Sequence, residues 1–307
     1  MKSDCRIARV RFFGLAALLL TLVWSASAQT PVYVAFNGLD TNPCTRNAQC
    51  RTITHALTVV AAGGVVDITA SGSYDTFTVT KAVSVEADQG VDAVITVPSA
   101  GTGISIDGGA SDTVTIKRLS LWGSAGNGVG IQTNSGAAVV LEDCVSRNLQ
   151  YGASLNTTIT AMKVTGGVYE GNDTSLILRA GTNKVTIDSV KLYGTSSNAA
   201  VDAVGDDIAI TRSLLSGNGT TGFNPGVWIK GGATVRLEYD VISGYGPGVQ
   251  VGGGTAGNGT VFLSNNTITN NLTGVTVTTG TAFTRRDNTI AGNGTNVSGT
   301  LTGFAAQ

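Results

Sequence analysis

From residue 103 onward, one short pattern returns about every 24 residues. It aligns on Val114, Ala138, Met162, Val185, Ile208, Val235, Val261 and Phe283. Two residues later stand Ile116, Val140, Val164, Ile187, Ile210, Leu237, Leu263 and Arg285. Seven later come Leu121, Val145, Tyr169, Leu192, Leu215, Ile242, Ile268 and Ile290. A unit this short cannot bury an apolar face by itself, but stacked copies can, so the period implies a solenoid. Within each unit the apolar residues alternate at period two, which is the signature of strands. Each unit also opens on a small residue followed by an alternating apolar pair, as in Gly128-Val129-Gly130-Ile131 and Gly226-Val227-Trp228-Ile229. Three short strands per coil, each pairing with its equivalent in the next coil, make an all-β parallel β-helix. Parallel connections within one sheet are right-handed, so the helix is expected to be right-handed. A leucine-rich repeat would need a leucine-dominated consensus and a helix per unit, and a propeller would need a period of about 40 residues.

Ten residues after the alignment point, five of the eight units carry asparagine: Asn148, Asn172, Asn218, Asn271 and Asn293. Asparagine tolerates the left-handed backbone region, and stacked carboxamides hydrogen-bond along the stack. These five are expected to form a structural ladder at one turn, with Asn266 and Asn288 forming a shorter second one.

The chain opens with a basic segment (Lys2, Arg6, Arg9, Arg11), an apolar run from Phe12 to Trp24, and Ala26-Ser27-Ala28. That is the pattern of a cleaved export signal over residues 1–28. It places the mature protein outside the cell or in the periplasm, with no membrane insertion once the signal is gone. Residues 29–64 read as an N-terminal strand, a disulfide loop and a short capping helix. Residues 65–307 read as the β-helix proper, all within one domain. Cys44 and Cys50, six apart in a loop of an exported chain, are expected to pair. Cys144 is left without a partner and reads as a small core hydrophobe. On the helix, Ile53, Ala56, Leu57 and Val60 share one face, with Gly63-Gly64 as its stop. His55, the single histidine, falls on the opposite face toward solvent. Such a helix would shield the apolar end of the first coil, and the far end is expected to be covered by the tail or a partner chain.

This ensemble resembles the pectin-lyase-like right-handed parallel β-helix superfamily, from the Cys50-Arg51-Thr52-Ile53 segment through Gly63-Gly64-Val65-Val66 to the last repeat. That superfamily contains polysaccharide lyases, glycoside hydrolases, epimerases and adhesins, so the resemblance fixes the fold far better than the activity. Outside the signal there are 15 basic and 19 acidic side chains, net −4. A general nucleic-acid or anionic-membrane binder would carry the opposite balance. A polysaccharide partner remains.

Gly205-Asp206-Asp207, with Asp202 just upstream, resembles the Gly-Asp-Asp motif of polygalacturonase-type hydrolases. There, paired carboxylates divide general-acid and general-base work. Val227-Trp228-Ile229-Lys230 is similar to the Arg-Ile-Lys segment of the same enzymes. The chain lacks their Asn-Thr-Asp and Gly-His-Gly motifs. The same three aspartates would supply oxygens to Ca²⁺ if the chemistry were that of a lyase; otherwise no cofactor is implied. Equivalent positions stack about 4.8 Å apart, which predicts Arg179, Asp202, Trp228 and Lys230 on one outer face as a substrate-binding patch. An exposed Trp beside charges suits sugar stacking. Two expectations follow. One is an exported protein that binds or organises surface or extracellular polysaccharide, without assured catalysis. The other is a lyase or hydrolase of an acidic glycan, with Asp202, Asp206 and Asp207 catalytic.

Overall fold

The computed structural model describes residues 30–304, apart from 125, 137, 156–158, 180–183, 195–197, 220–222 and 254–256. The signal segment therefore lies outside the described residues. The chain winds repeatedly through three parallel sheets. It runs from the first sheet (Gly64–Ile68) to the second (Gly72–Tyr74), then to the third (Phe77–Val79), and back to the first (Val83–Ala87). The first sheet has 12 strands and the other two have 10 each, and within each sheet every strand is bonded to its equivalents one coil away.

Alternation explains the core. In the first sheet Val114, Val139, Met162, Val185, Ile208, Val235, Val261 and Ala282 lie in register, and all are buried. Ile116, Leu141, Val164, Ile187, Ile210, Leu237 and Leu263 form the next inward column. Two units sit one residue away from the expected alignment. Val139, not Ala138, matches Val114, and Ala282, not Phe283, matches Val261. Ala138-Val139-Val140-Leu141 is apolar at both parities, so period two alone does not decide which pair points inward. Phe283 turns outward instead and stacks on Phe262, ring centroids 5.0 Å apart.

That one-residue offset corrects the asparagine ladder. In the second sheet Arg147 matches Glu170, so Asn148 stands level with Gly171 and Leu149 with Asn172. Asn148 is the left-handed turn residue itself, φ 54°, and is exposed. The ladder residue is the one that follows it. Asn172 accepts from the Leu149 N–H at 3.1 Å. Asn271 accepts from the Tyr245 N–H at 3.0 Å and donates to Asn293 Oδ1 at 3.0 Å. Asn218 is exposed, its carboxamide lying over Gly194. Three of the five expected rungs thus hold backbone, and among the described residues Asn148 and Asn218 make no such bond. The second ladder runs further than Asn266 and Asn288. Ser213, Asp240, Asn266 and Asn288 follow one another, each bonding the backbone N–H of the rung before it.

At the N-terminal end, Val32–Val34 pairs with Gly64–Ile68 at the edge of the first sheet. Cys44 and Cys50 form the disulfide. Asp40 clamps the start of the helix, accepting from the N–H groups of Arg51 and Thr52 at 2.9 Å each and from the Thr52 hydroxyl at 2.8 Å. The helix spans Ile53–Val59, capped by the Thr52 side chain, and buries Ile53, Ala56 and Leu57. It stops because Val60 turns extended, three residues before Gly63 takes its positive φ of 78°. His55 is half-buried beside the disulfide rather than facing solvent. Cys144 is fully buried, and burial pushes its thiol up to about 11. At the far end Leu301 packs half-buried against the core, and Phe304 meets Phe262 and Phe283 edge-on. Among the described residues no helix is long and apolar enough to cross a membrane.

Candidate functional site

Asp202 sits in the third-sheet strand Val201–Val204. Its neighbours Val201 and Ala203 point into the core, so the carboxylate points outward, yet it is fully buried. Two cations cover it. Lys230 Nζ lies 2.9 Å from one carboxylate oxygen, and an Arg179 guanidinium nitrogen lies 3.5 Å from the other. Lys230 is 8% exposed and its ammonium rests 3.4 Å from the centroid of the Trp228 ring. A charge held this far from water needs such partners, because leaving either one unpaired costs several kcal/mol, on the order of 3–5. The expected patch of Arg179, Asp202, Trp228 and Lys230 is therefore one contiguous cluster.

Trp228 follows Asp202 in register and Gln250 follows Trp228, with Thr276 next in the same outward column. The Trp228 indole N–H donates to the Gly252 carbonyl at 3.1 Å, which fixes the ring. Phe223, 56% exposed, meets that ring edge-on at 5.5 Å. The two aromatics form one wall of an open trough of about 630 Å³, with Pro247, Gln250, Leu272 and Thr276 along it. Gln250 is held by its own bonds to Gly252 O and Thr278 Oγ1, at 3.2 and 2.8 Å. The trough runs along an apolar and amide-lined floor, and the Arg179–Asp202–Lys230 cluster adjoins it only through Lys230, whose ammonium rests on the Trp228 ring. Trp228 is half-buried, so Phe223 supplies most of the free aromatic surface.

The three aspartates occupy different settings. Asp206 is buried in the turn, where its carbonyl accepts from the Thr234 N–H at 2.8 Å. Asp207 opens the first-sheet strand Asp207–Thr211, half-exposed, and pairs with Arg236. Asp202 and Asp207 therefore face different sheets and hold different cations. Among the described residues, the group of three ligand-type side chains with donor atoms within 4.8 Å of one another is Cys44, Cys50 and His55, of which two are joined in the disulfide. Among the described residues the three aspartates do not bring their carboxylate oxygens within 4.8 Å of one another.

Gln250 was legible in the sequence once Trp228 was placed outward, since it lies between inward Val249 and Val251 one coil on. Phe223 and Leu272 were not. Both stand outside the strands, where no periodicity says which way a side chain points.

The chain belongs to the right-handed β-helix family. The description "Right handed beta helix region" matches residues 102–258 and 176–301. Among solved structures it is similar to pectate lyase Pel9A, with a TM-score of 0.65 and 15% identity over 91% of this chain and 79% of that one. It is also similar to an alginate lyase from Paenibacillus sp. str. FPU-7, with a TM-score of 0.64 and 13% identity over 81% of this chain and 96% of that one. At such identity the likeness is one of fold. No curated protein is similar to it in sequence.

Proposed function

We propose that this is an exported glycan-binding β-helix protein that holds an acidic polysaccharide along the third sheet, over the Arg179–Asp202–Lys230 cluster and the adjoining trough lined by Trp228 and Leu272. The carrying observation is the charge balance of the cluster beside the trough. Arg179 and Lys230 bring two positive charges to the single negative charge of Asp202. One cationic charge is left to meet a uronate, beside aromatic walls suited to sugar rings. The disulfide accords with export, as does the leader-like N-terminus.

Binding without turnover is favoured because Asp202 is already engaged by two cations and Asp207 pairs with Arg236 on the first sheet. The second reading is a lyase, since two solved neighbours are a pectate lyase and an alginate lyase. Calorimetric titration with oligogalacturonate and oligoalginate, at low and high salt, tests both. Phe223→Ala and Arg179→Gln are expected to weaken binding about tenfold each, on the order of 1.4 kcal/mol. Affinity is expected to fall with salt. Release of unsaturated product ends that is lost in Lys230→Gln makes the protein a lyase. No binding of either acidic oligomer overturns the proposal.

A further inference from the structure

We infer a second carbohydrate site, on the second sheet, selective for a neutral oligosaccharide. It shares no residue with the acidic-glycan trough and does not rest on that reading. Trp122, Arg147, Glu170 and Tyr193 follow one another in register across four successive coils. Each lies beside an inward residue of its strand, so the four form one outward column. Trp122 is 44% exposed and opens the column. Tyr193 lies three coils further, about 14 Å along the solenoid axis. Two aromatic platforms at that separation span a short oligosaccharide, and each gives a ring face on which a pyranose packs.

An open groove of about 610 Å³ runs from Arg147 past Tyr193 to Ser216, and Trp122 stands one coil before its first lining residue. Its floor is glycine on successive coils. At Gly194 a Cβ would come within 2.5 Å of the Asn218 carboxamide, and φ there is +59°. Asn148 and Asn218 form its rim. Neither carboxamide bonds backbone among the described residues, and both are exposed. Each offers a donor and an acceptor, the pairing that a vicinal diol needs. The charged residues lining the groove are Arg147 and Glu170, paired at 3.2 Å with both side chains about half-exposed. Their charges cancel, so the groove holds no surplus cation for a uronate. An exposed pair of this kind is weak enough to open toward sugar hydroxyls. Polar lining, a bare floor and cancelled charge fit a neutral sugar chain better than an apolar peptide.

Titration of the full chain with cellohexaose, xylohexaose and mannohexaose, read by calorimetry and tryptophan fluorescence, tests the site. At least one neutral hexaose is expected to bind. Trp122→Ala and Tyr193→Ala are each expected to weaken it tenfold or more, and Phe223→Ala to leave it unchanged. Arg147→Ala, at an exposed position, gives a further variant that keeps the aromatic platforms. Failure of all three hexaoses to bind overturns the inference. So does binding that survives Trp122→Ala and Tyr193→Ala but is lost in Phe223→Ala. Hexagalacturonate binding that depends on Phe223 bears on the other trough and leaves this site unaffected. Hexagalacturonate binding that depends on Trp122 and exceeds that of the neutral hexaoses would overturn the selectivity claimed here.

Discussion

Asp240 occupies a rung that asparagine holds in the next two coils. It accepts from the Ser213 N–H at 2.8 Å and the Glu238 N–H at 3.1 Å, and is 1% exposed. Burial pushes its carboxyl up to about 7, against those hydrogen bonds and aided by the nearby Asp188 and Glu238 charges. The folded state therefore keeps the proton that the unfolded chain sheds near 3.8. The stability this group contributes is full below that value and is lost as pH rises toward 7, by up to about 4 kcal/mol. Asp67, raised to about 6 by burial and by Asp88 and Glu86, adds the same sign. Asp240→Asn is expected to flatten much of this slope and to be more stable than the parent at pH 8. Urea unfolding of both proteins at pH 5 and pH 8 checks it, and parallel losses would place the titrating group elsewhere. Tyr245 stands on the other ladder's rung, with its hydroxyl buried and bonded to no described residue. Tyr245→Phe is expected to be neutral or to stabilise by about 1 kcal/mol in the same assay. Neither feature was legible in the sequence. Ser213, Asp240 and Asn266 become one ladder only after the coils are in register, and the place of Tyr245 below Asn271 emerges only then too.

At the scale of elements, the repeat itself was legible because each coil places two alternating apolar pairs at nearly constant spacing. It blurred where a strand was apolar throughout, and the price was a one-residue shift that carried Asn148 into the wrong role. The N-terminal cap was also legible, since Ile53, Ala56, Leu57 and Val60 share one helical face whatever surrounds it. What the sequence did not show is how the cap is anchored. Asp40 reaches eleven and twelve residues forward to the helix start. The disulfide closes the loop between these partners and the edge strand. Cross-linking two cysteines six apart removes chain entropy worth about 2 kcal/mol from the unfolded state. Cys44→Ser with Cys50→Ser is expected to lower unfolding free energy by about that amount. An unchanged denaturation midpoint would mean that Asp40 and the helix hold the cap without the cross-link.

Across the whole molecule, stability is a sum of coils and of the interfaces between them, so it need not be uniform. The middle strand Val227–Lys230 is bonded on both sides and is nearly all buried. Thr295–Ser298 lies at the end of its sheet, bonded on one side, with three of its four residues exposed. Both proposed sites lie on interior coils, where the backbone beneath a ligand is held from above and below. Rigid placement of side chains from successive coils is what lets a row of them act as one surface. This was partly legible: Asp202, Trp228 and Lys230 could be stacked from spacing alone, but which sheet each aspartate faced depended on the turn at Asp206. Hydrogen exchange by mass spectrometry is expected to show slowest exchange in the middle coils, with protection falling stepwise toward Thr295–Ser298. Equal protection along the solenoid would mean that it opens as a single unit. A bound acidic glycan is expected to raise protection in Val201–Val204 and Val227–Lys230, and a neutral one in Val145–Arg147 and Lys191–Tyr193. Ligand-induced protection confined to the terminal coil would place recognition at the open end, contrary to both sites.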